Sequence, residues 1–125
     1  MYPPGFLLLL LLALPLVSSA QSKDCNIMHQ GKFRYMADKE EVIVAIKDSS
    51  MIEYHSGGKY TINTRIEWVN ECEYNITIIK VNVPAFTLGT GDQVNVKIDR
   101  VEGKEIYYTL TVKAVSWQGK FTKLE

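Results

Sequence analysis

Three carboxylates lie close together near the middle of this sequence and could carry out acid–base chemistry. Glu67, Glu71 and Glu73 are separated by only a few residues, and paired carboxyl groups can act as acid and base when their surroundings drive their pKa values apart. In the strand pattern described below, Glu67 and Glu73 fall on the face opposite Trp68. We therefore expect a solvated edge that pairs with Arg65. A small hydrolase-type enzyme with its site at this corner is the alternative function.

Two cysteines and two histidines are the other reactive side chains. Cys25, Cys72, His29 and His55 match no compact metal-binding spacing. In an exported domain of about 100 residues, two cysteines usually pair with each other. We predict a Cys25–Cys72 disulfide, with two buried thiols as the alternative. It would close a loop of about 47 residues and stabilise the fold by roughly 3–4 kcal/mol in the chain-entropy description.

No pattern of a catalytic or cofactor site stands out in the sequence. It contains no Ser/His/Asp elbow, no glycine-rich phosphate loop and no His-Glu helix motif. We therefore expect no catalytic residue, no cofactor and no metal, and a protein that is not an enzyme. Asn75-Ile76-Thr77 is a glycosylation sequon, which would be used only in a eukaryotic secretory pathway.

Aromatic side chains form the last group with functional potential. Four of them occupy positions that the strand pattern predicts to face inward, namely Tyr60, Trp68, Tyr74 and Tyr108. They could line a cavity with apolar walls and a few hydroxyl groups, as small-molecule sites do. Alternatively, they fill the interior, as side chains do in narrow eight-strand barrels. We favour filling because large rings leave little room, and we keep the four as candidate ligand-lining residues.

An apolar N-terminal segment predicts the compartment. Residues 6–17 are almost wholly apolar but too few to cross a membrane, which takes about 20 residues. Ser18-Ser19-Ala20 supplies the small residues of a cleavage site, although no Lys or Arg precedes the apolar segment. We predict a signal peptide over residues 1–20, a single β-barrel-like domain over residues 21–125, and export to the periplasm or the medium. A retained membrane anchor is the alternative.

The charge balance argues against nucleic-acid binding. The chain has 14 Lys and Arg and 14 Asp and Glu, which gives a formal net charge of zero. Proteins that bind nucleic acid need a positive surface to neutralise phosphates. We predict no nucleic-acid partner. The expected partner is a small apolar ligand or an envelope protein, and the expected mature protein is a monomer without a membrane span.

Alternation of apolar and polar residues predicts an all-β fold. Residues 59–79 show it best, with one face formed by Tyr60, Ile62, Thr64, Ile66 and Trp68 and then by Cys72, Tyr74, Ile76 and Ile78. Turn signals recur every roughly 8–12 residues and predict about eight strands. The seventh is predicted from Lys104 to Trp117, and a turn at Gln118-Gly119 leads into the last.

Short connections select the barrel among all-β architectures. Most predicted connections join neighbouring strands, which favours an antiparallel meander closed into an up-and-down, lipocalin-like barrel. A β-sandwich is the alternative, but only residues 82–92 could provide the long crossover that it needs. The outward positions are mostly Lys, Glu, Asn and Thr, whereas a membrane barrel has an apolar outer face.

Four stretches carry a resemblance to a known family. They are Cys25 before Gly31-Lys32-Phe33, Lys47-Asp48-Ser49 before Ile52-Glu53, the centre from Ile66 to Tyr74, and Gly119-Lys120-Phe121-Thr122-Lys123. The chain resembles small exported bacterial proteins of unknown function that share an Ile-x-Trp-x-x-x-Cys-x-Tyr centre. Some members are labelled DNA topoisomerase, which nothing in this small, neutral chain supports. The resemblance implies the architecture and a location in the bacterial envelope, and it implies no activity.

Overall fold

A computed structural model describes residues 24–125, whose eight antiparallel strands close into a barrel. The strands are β1 Gly31–Ala37, β2 Glu40–Lys47, β3 Ser50–His55, β4 Tyr60–Asn70, β5 Glu73–Val81, β6 Gln93–Glu102, β7 Glu105–Val112 and β8 Val115–Lys123. Two 3-10 turns, Cys25–Met28 and Ser56–Gly58, precede β1 and β4. The predicted up-and-down barrel is confirmed. The predicted signal peptide lies outside the described residues.

The up-and-down order places successive connections at opposite ends of the barrel. One end, the closed end, carries the 3-10 turn Cys25–Met28 and the β4–β5 turn. The predicted Cys25–Cys72 disulfide is confirmed and joins these two segments, with 5.2 Å between the Cα atoms. The other end, the open end, carries the residue 82–92 loop between β5 and β6. Within residues 24–125 no helix is long and apolar enough to cross a membrane.

Aromatic and sulfur-containing side chains fill the closed end. Cys25, Met28 and Tyr74 are completely buried. The His29 ring stacks on Trp68, with 3.7 Å between ring centroids, and Trp68 packs against Tyr74 at 4.7 Å. The 3-10 turn therefore acts as a plug that covers the barrel interior and is held in place by the disulfide.

The central hairpin has the predicted register. Ile62, Thr64 and Ile66 are buried on β4, while Arg65 and Glu67 on the opposite face are exposed. Trp68 faces the interior opposite Tyr74 and is half-buried, because it lies at the rim of the closed end under His29 rather than in the centre. Since side chains alternate across a strand, this register sets every inside and outside position of the hairpin.

The seam between β1 and β8 is the shortest ladder of the barrel. Its Cα partners are Phe33 with Lys123 and Arg34 with Thr122, and the backbones of Leu124 and Lys32 add a hydrogen bond of 2.8 Å nearer the closed end. Towards the open end the two strands separate, and a surface cleft lies between them, lined in part by Tyr35 and Lys120.

The predicted boundaries of the last two strands are wrong. β7 ends at Val112, and the chain turns at Lys113 and Ala114, whose φ angles are 47° and 69°. Gln118-Gly119, predicted as a turn, lies within β8. Positive φ at both central residues is the geometry of a tight hairpin, which usually selects glycine or asparagine. The turn therefore has none of the usual sequence signals, whereas the glycine two residues after Trp117 imitates one.

Gly119 serves close packing rather than a turn. It lies opposite Tyr108 in the β7–β8 ladder, and a Cβ atom at this position would lie 2.5 Å from the Tyr108 hydroxyl oxygen and 2.6 Å from its ring carbon Cζ. The Tyr108 ring therefore lies directly over the glycine and stacks on Phe121, with 4.5 Å between ring centroids.

Reduction of the disulfide should destabilise the barrel. We expect the free energy of unfolding to fall by roughly 3–4 kcal/mol, because the reduced chain gains the loop-closure entropy that the bond removes. Urea denaturation with and without reductant measures the difference. A Cys25→Ala, Cys72→Ala double variant should have the free energy of unfolding of the reduced protein, and reductant should not change it. If reductant destabilised the double variant as much as the parent, the prediction would be contradicted.

The Gly119→Ala substitution should also destabilise the barrel. The added methyl group would displace the Tyr108 ring, and overpacking of this kind costs about 1–3 kcal/mol. Gly89→Ala is the matched control, since a Cβ atom there would have no neighbour within 4 Å. Thermal melts of both variants decide the matter, and equal losses at the two positions would show that the ring contact is not the cause.

Candidate functional site

A cavity of about 270 Å³ occupies the barrel interior at the open end. Its walls are mostly aliphatic side chains of β4 to β7, namely Ile62, Ile76, Ile78, Val94, Leu110 and Val112. Phe86, Thr87 and Leu88 from the 82–92 loop and Trp117 from β8 border its mouth. The volume is near the lower limit of small-molecule sites, which start at roughly 300 Å³.

The cavity follows from a change in side-chain size along the barrel. Inward positions near the closed end carry rings, including Phe33 and Phe121, whose centroids lie 6.3 Å apart. Inward positions near the open end carry shorter residues such as Ile78, Val94 and Val112. Since all eight strands continue around both halves, the smaller side chains leave space that the rings fill elsewhere.

The four candidate ligand-lining residues, three tyrosines and one tryptophan, do not line this cavity. Tyr74 and Tyr108 are buried among the rings of the closed half, Trp68 packs under His29, and Tyr60 is half-buried at the start of β4. Tyr74 and Tyr108 therefore fill the barrel interior, as expected from the sequence, rather than line a cavity.

One carboxylate, that of Glu53, lies on the cavity wall. Glu53 sits opposite Ile62 in the β3–β4 ladder and therefore faces inward. The Tyr35 hydroxyl donates to Glu53 Oε1 over 2.6 Å. His55 Nε2 lies 3.0 Å from the same oxygen and donates to it, since a carboxylate only accepts. The side chains of His55 and Glu53 are 11% and 15% exposed, so this ion pair is largely shielded from solvent.

The hydrogen bond to Glu53 raises the pKa of His55 above its ordinary value. Burial, followed by the charge of Glu53, raises the pKa of Tyr35 far above the ordinary tyrosine value. Tyr35 therefore remains a neutral donor at any physiological pH, while His55 keeps its proton to a higher pH than an ordinary histidine. The wall thus carries one carboxylate that is fixed by two donors from β1 and β3.

Two further hydroxyl groups lie in the polar centre of the barrel. Burial raises the pKa of Tyr108 to about 12. Burial, and then the proximity of Tyr108 and Glu53, also raises the pKa of Tyr74 well above the ordinary value. The Tyr74 hydroxyl is buried and has no hydrogen-bond partner among residues 24–125. Among residues 24–125, the interior therefore contains neutral tyrosines around the carboxylate of Glu53.

Glu53 does not stand out in the sequence. The short strand Ser50–His55 carries apolar residues on both faces, with Met51 alternating against Ile52 and Tyr54. Periodicity alone therefore does not say which face is inward. Counting across the 3-10 turn Ser56–Gly58 from the clear pattern of β4 would have placed Glu53 opposite Ile62, inside the barrel.

The glutamates of the β4–β5 corner face away from the interior. Glu67 and Glu71 are exposed, and the half-buried Glu73 accepts a hydrogen bond of 2.9 Å from Asn95 Nδ2 on β6. Arg65 lies opposite Thr77 rather than beside a glutamate. None of the three glutamates lines the cavity, so the corner and the cavity are separate features at opposite ends of the barrel.

The two histidines are also separated. His29 stacks at the closed end and donates from Nε2 to the Glu71 carbonyl oxygen over 2.9 Å, while His55 binds Glu53 on the open side. Both cysteine sulfurs are used by the disulfide. Across residues 24–125 no group of three or more His, Cys, Asp or Glu side chains is arranged to hold a metal ion.

None of the protein families, curated proteins and solved structures with which the chain was compared matches it. The cavity and its residues are therefore the only basis for a functional proposal.

The His55–Glu53 pair should make stability depend on pH. Since the folded-state pKa of His55 is raised, its contribution is fully present below the unfolded value of about 6.5 and is lost as the pH rises through the folded value. We expect the free energy of unfolding to fall over that window. His55→Gln should remove the fall and His29→Gln should retain it, as measured by urea denaturation between pH 5.5 and 8.5. An unchanged pH profile in His55→Gln would contradict this assignment.

Proposed function

We propose that this protein is an exported, non-catalytic binding protein that takes a small, mostly apolar molecule into the open end of its barrel. The observation that carries the proposal is the cavity of about 270 Å³ with aliphatic walls. Removing apolar ligand surface from water in such a site contributes roughly 25 cal/mol for each Å².

The mouth of the cavity supports the same function. Trp117 and Phe86 are 55% and 38% exposed, and both border the cavity. Large apolar side chains that border an opening can cover the apolar part of a bound molecule, and exposed apolar groups often mark such sites. A ligand inside the barrel would therefore bury part of both rings.

The loop over the mouth is anchored at both ends. The Thr61 backbone N–H donates to Asn82 Oδ1 over 2.8 Å, and the Gly91 N–H donates to the Ile78 carbonyl over 2.8 Å. The Gly89 N–H also donates to Asp92 Oδ2 over 2.8 Å. A site whose walls are held before binding loses little conformational entropy on binding.

Export and a monomeric state are part of the proposal. A disulfide is typical of oxidising compartments, and the N-terminal sequence and the family resemblance both favour the bacterial envelope. A non-catalytic role fits the position of Thr64 in the wall, because its hydroxyl is used in a hydrogen bond of 2.8 Å to the Met51 carbonyl. Binding of an envelope protein through the outer surface is the alternative partner.

A large side chain placed in the cavity should weaken ligand binding. We use toluene as the probe and expect it to shift the NMR signals of the cavity methyl groups in a saturable titration. Val112→Trp places a large ring in the cavity wall and should weaken binding at least about tenfold, which corresponds to about 1.4 kcal/mol.

Val69→Trp is the matched control, since Val69 is 56% exposed near the closed end, and it should bind toluene like the parent. Thermal melts verify that both variants fold. Absence of binding in the parent, or equal binding by both variants, would contradict the proposed function.

A further inference from the structure

We infer that the cavity selects ligands with a positively charged amine on an apolar body, and that Glu53 is the residue that binds the amine. This inference rests on the proposed function, because it names the ligand class of the same cavity.

The two oxygens of Glu53 have different surroundings. Oε1 accepts hydrogen bonds from the Tyr35 hydroxyl over 2.6 Å and from His55 Nε2 over 3.0 Å. Within residues 24–125 no donor contacts Oε2, and Oε2 is not among the fully buried polar atoms. Because Glu53 lines the cavity, Oε2 is left as an acceptor for a ligand. A charged N–H donor would bind it at about 2.7–2.9 Å.

The charge of the lining distinguishes between ligand classes. No Lys or Arg lines the cavity, so when His55 is neutral the carboxylate of a bound fatty acid would lie beside Glu53 without a compensating cation. Like charges at such a distance disfavour ionisation of both groups. An alcohol could donate one neutral hydrogen bond to Glu53. An ammonium group would donate a hydrogen bond and also compensate the negative charge of Glu53, and this charge compensation is worth more in a site shielded from water.

The size of the cavity limits the apolar body. A volume of about 270 Å³ corresponds to roughly nine liquid-water volumes of about 30 Å³ each. The ligand class is therefore a small arylalkyl or alkyl amine. Its amine lies at Glu53, and its apolar part lies against the aliphatic wall, Phe86 and Trp117.

His55 adds a pH dependence to amine binding. When His55 is protonated, it compensates Glu53 and competes with the ligand for that charge; when His55 is neutral, the ammonium group supplies the only positive charge. The other titratable groups that act on this pair are Tyr35 on β1, Glu40 on β2, Tyr74 on β5 and Tyr108 on β7. The tyrosines stay neutral, and Glu40 is held by the Ser56 N–H and hydroxyl over 2.6 and 2.8 Å. We therefore expect affinity for amines to increase as the pH rises through the pKa of His55.

A matched series of three probes tests the inference. 2-Phenylethylamine, 2-phenylethanol and phenylacetate have similar apolar bodies and differ in the head group. Calorimetry at pH 8.5 with the oxidised protein should show the amine binding at least about tenfold tighter than the alcohol, and no binding of phenylacetate. The amine stays protonated, since primary alkyl amines have pKa values near that of lysine, about 10.4.

Variants assign the effect to the carboxylate. Glu53→Gln keeps the shape and an acceptor for Tyr35, and it should remove the preference for the amine over the alcohol. Glu67→Gln removes an exposed carboxylate and should bind all three probes like the parent. Lowering the pH to 5.5 should weaken amine binding in the parent and not in His55→Gln.

The outcomes separate this inference from the proposed function. Equal binding of amine and alcohol by the parent, or tighter binding of phenylacetate, would overturn the amine inference and leave a cavity that binds apolar molecules. If neither toluene nor any of the three probes binds, the proposed function itself is wrong. Because the parent comparison needs no variant, it remains decisive if Glu53→Gln does not fold.

Discussion

The interior of an eight-strand barrel is just wide enough for side chains to fill it or for one small ligand, and this width governs the properties of the molecule. Rings at inward positions make one half solid, as with Phe33, Tyr74 and Phe121, which are at most 5% exposed. Aliphatic residues of the other half cannot meet across the same width, so a cavity remains. The filled part of the interior and the cavity therefore lie in opposite halves of one barrel, without any change in backbone topology.

A carboxylate inside such a barrel is not explained by stability. Removing an ionised group from water costs several kcal/mol, and a buried ion pair often stabilises less than apolar residues of equal volume. The site nevertheless keeps Glu53 and supports it with Tyr35 and His55. Locally unfavourable choices of this kind are expected at functional sites. The cavity-lining residues of β4 to β7 are apolar except for Thr64, so the charged exception is confined to Glu53 on β3.

The sequence was informative where one physical cause dominates. Strict alternation around Trp68 predicts the β4–β5 hairpin because one face is buried, and short connections predict closure into a barrel. The disulfide followed from the number of cysteines together with the predicted export, and the signal peptide remains a prediction. Where two causes compete, the sequence misleads. Gly119 has the composition of a turn but is required by the Tyr108 ring above it, while Lys113 and Ala114 turn the chain without glycine.

The cavity and Glu53 could not be predicted from local pattern. A cavity depends on the sizes of side chains from many strands that meet at the same position along the barrel axis. The periodicity of one strand contains no information on that position. The inward direction of Glu53 depends on the register across the Ser56–Gly58 turn, and β3 is too short and too apolar on both faces to reveal it. Both features follow from long-range pairing rather than from neighbouring residues.

The short β1–β8 ladder leaves a cleft on the outer surface of the barrel wall. The strands are joined near Phe33 and Lys123 and separate towards the open end, beside Tyr35. Tyr35 thus has its ring at this gap and its hydroxyl on the carboxylate inside. The surface cleft and the interior cavity therefore share one side chain, Tyr35, which lines both. A substitution at Tyr35 would therefore alter the outer surface of the seam and the hydrogen bonding of Glu53 at the same time.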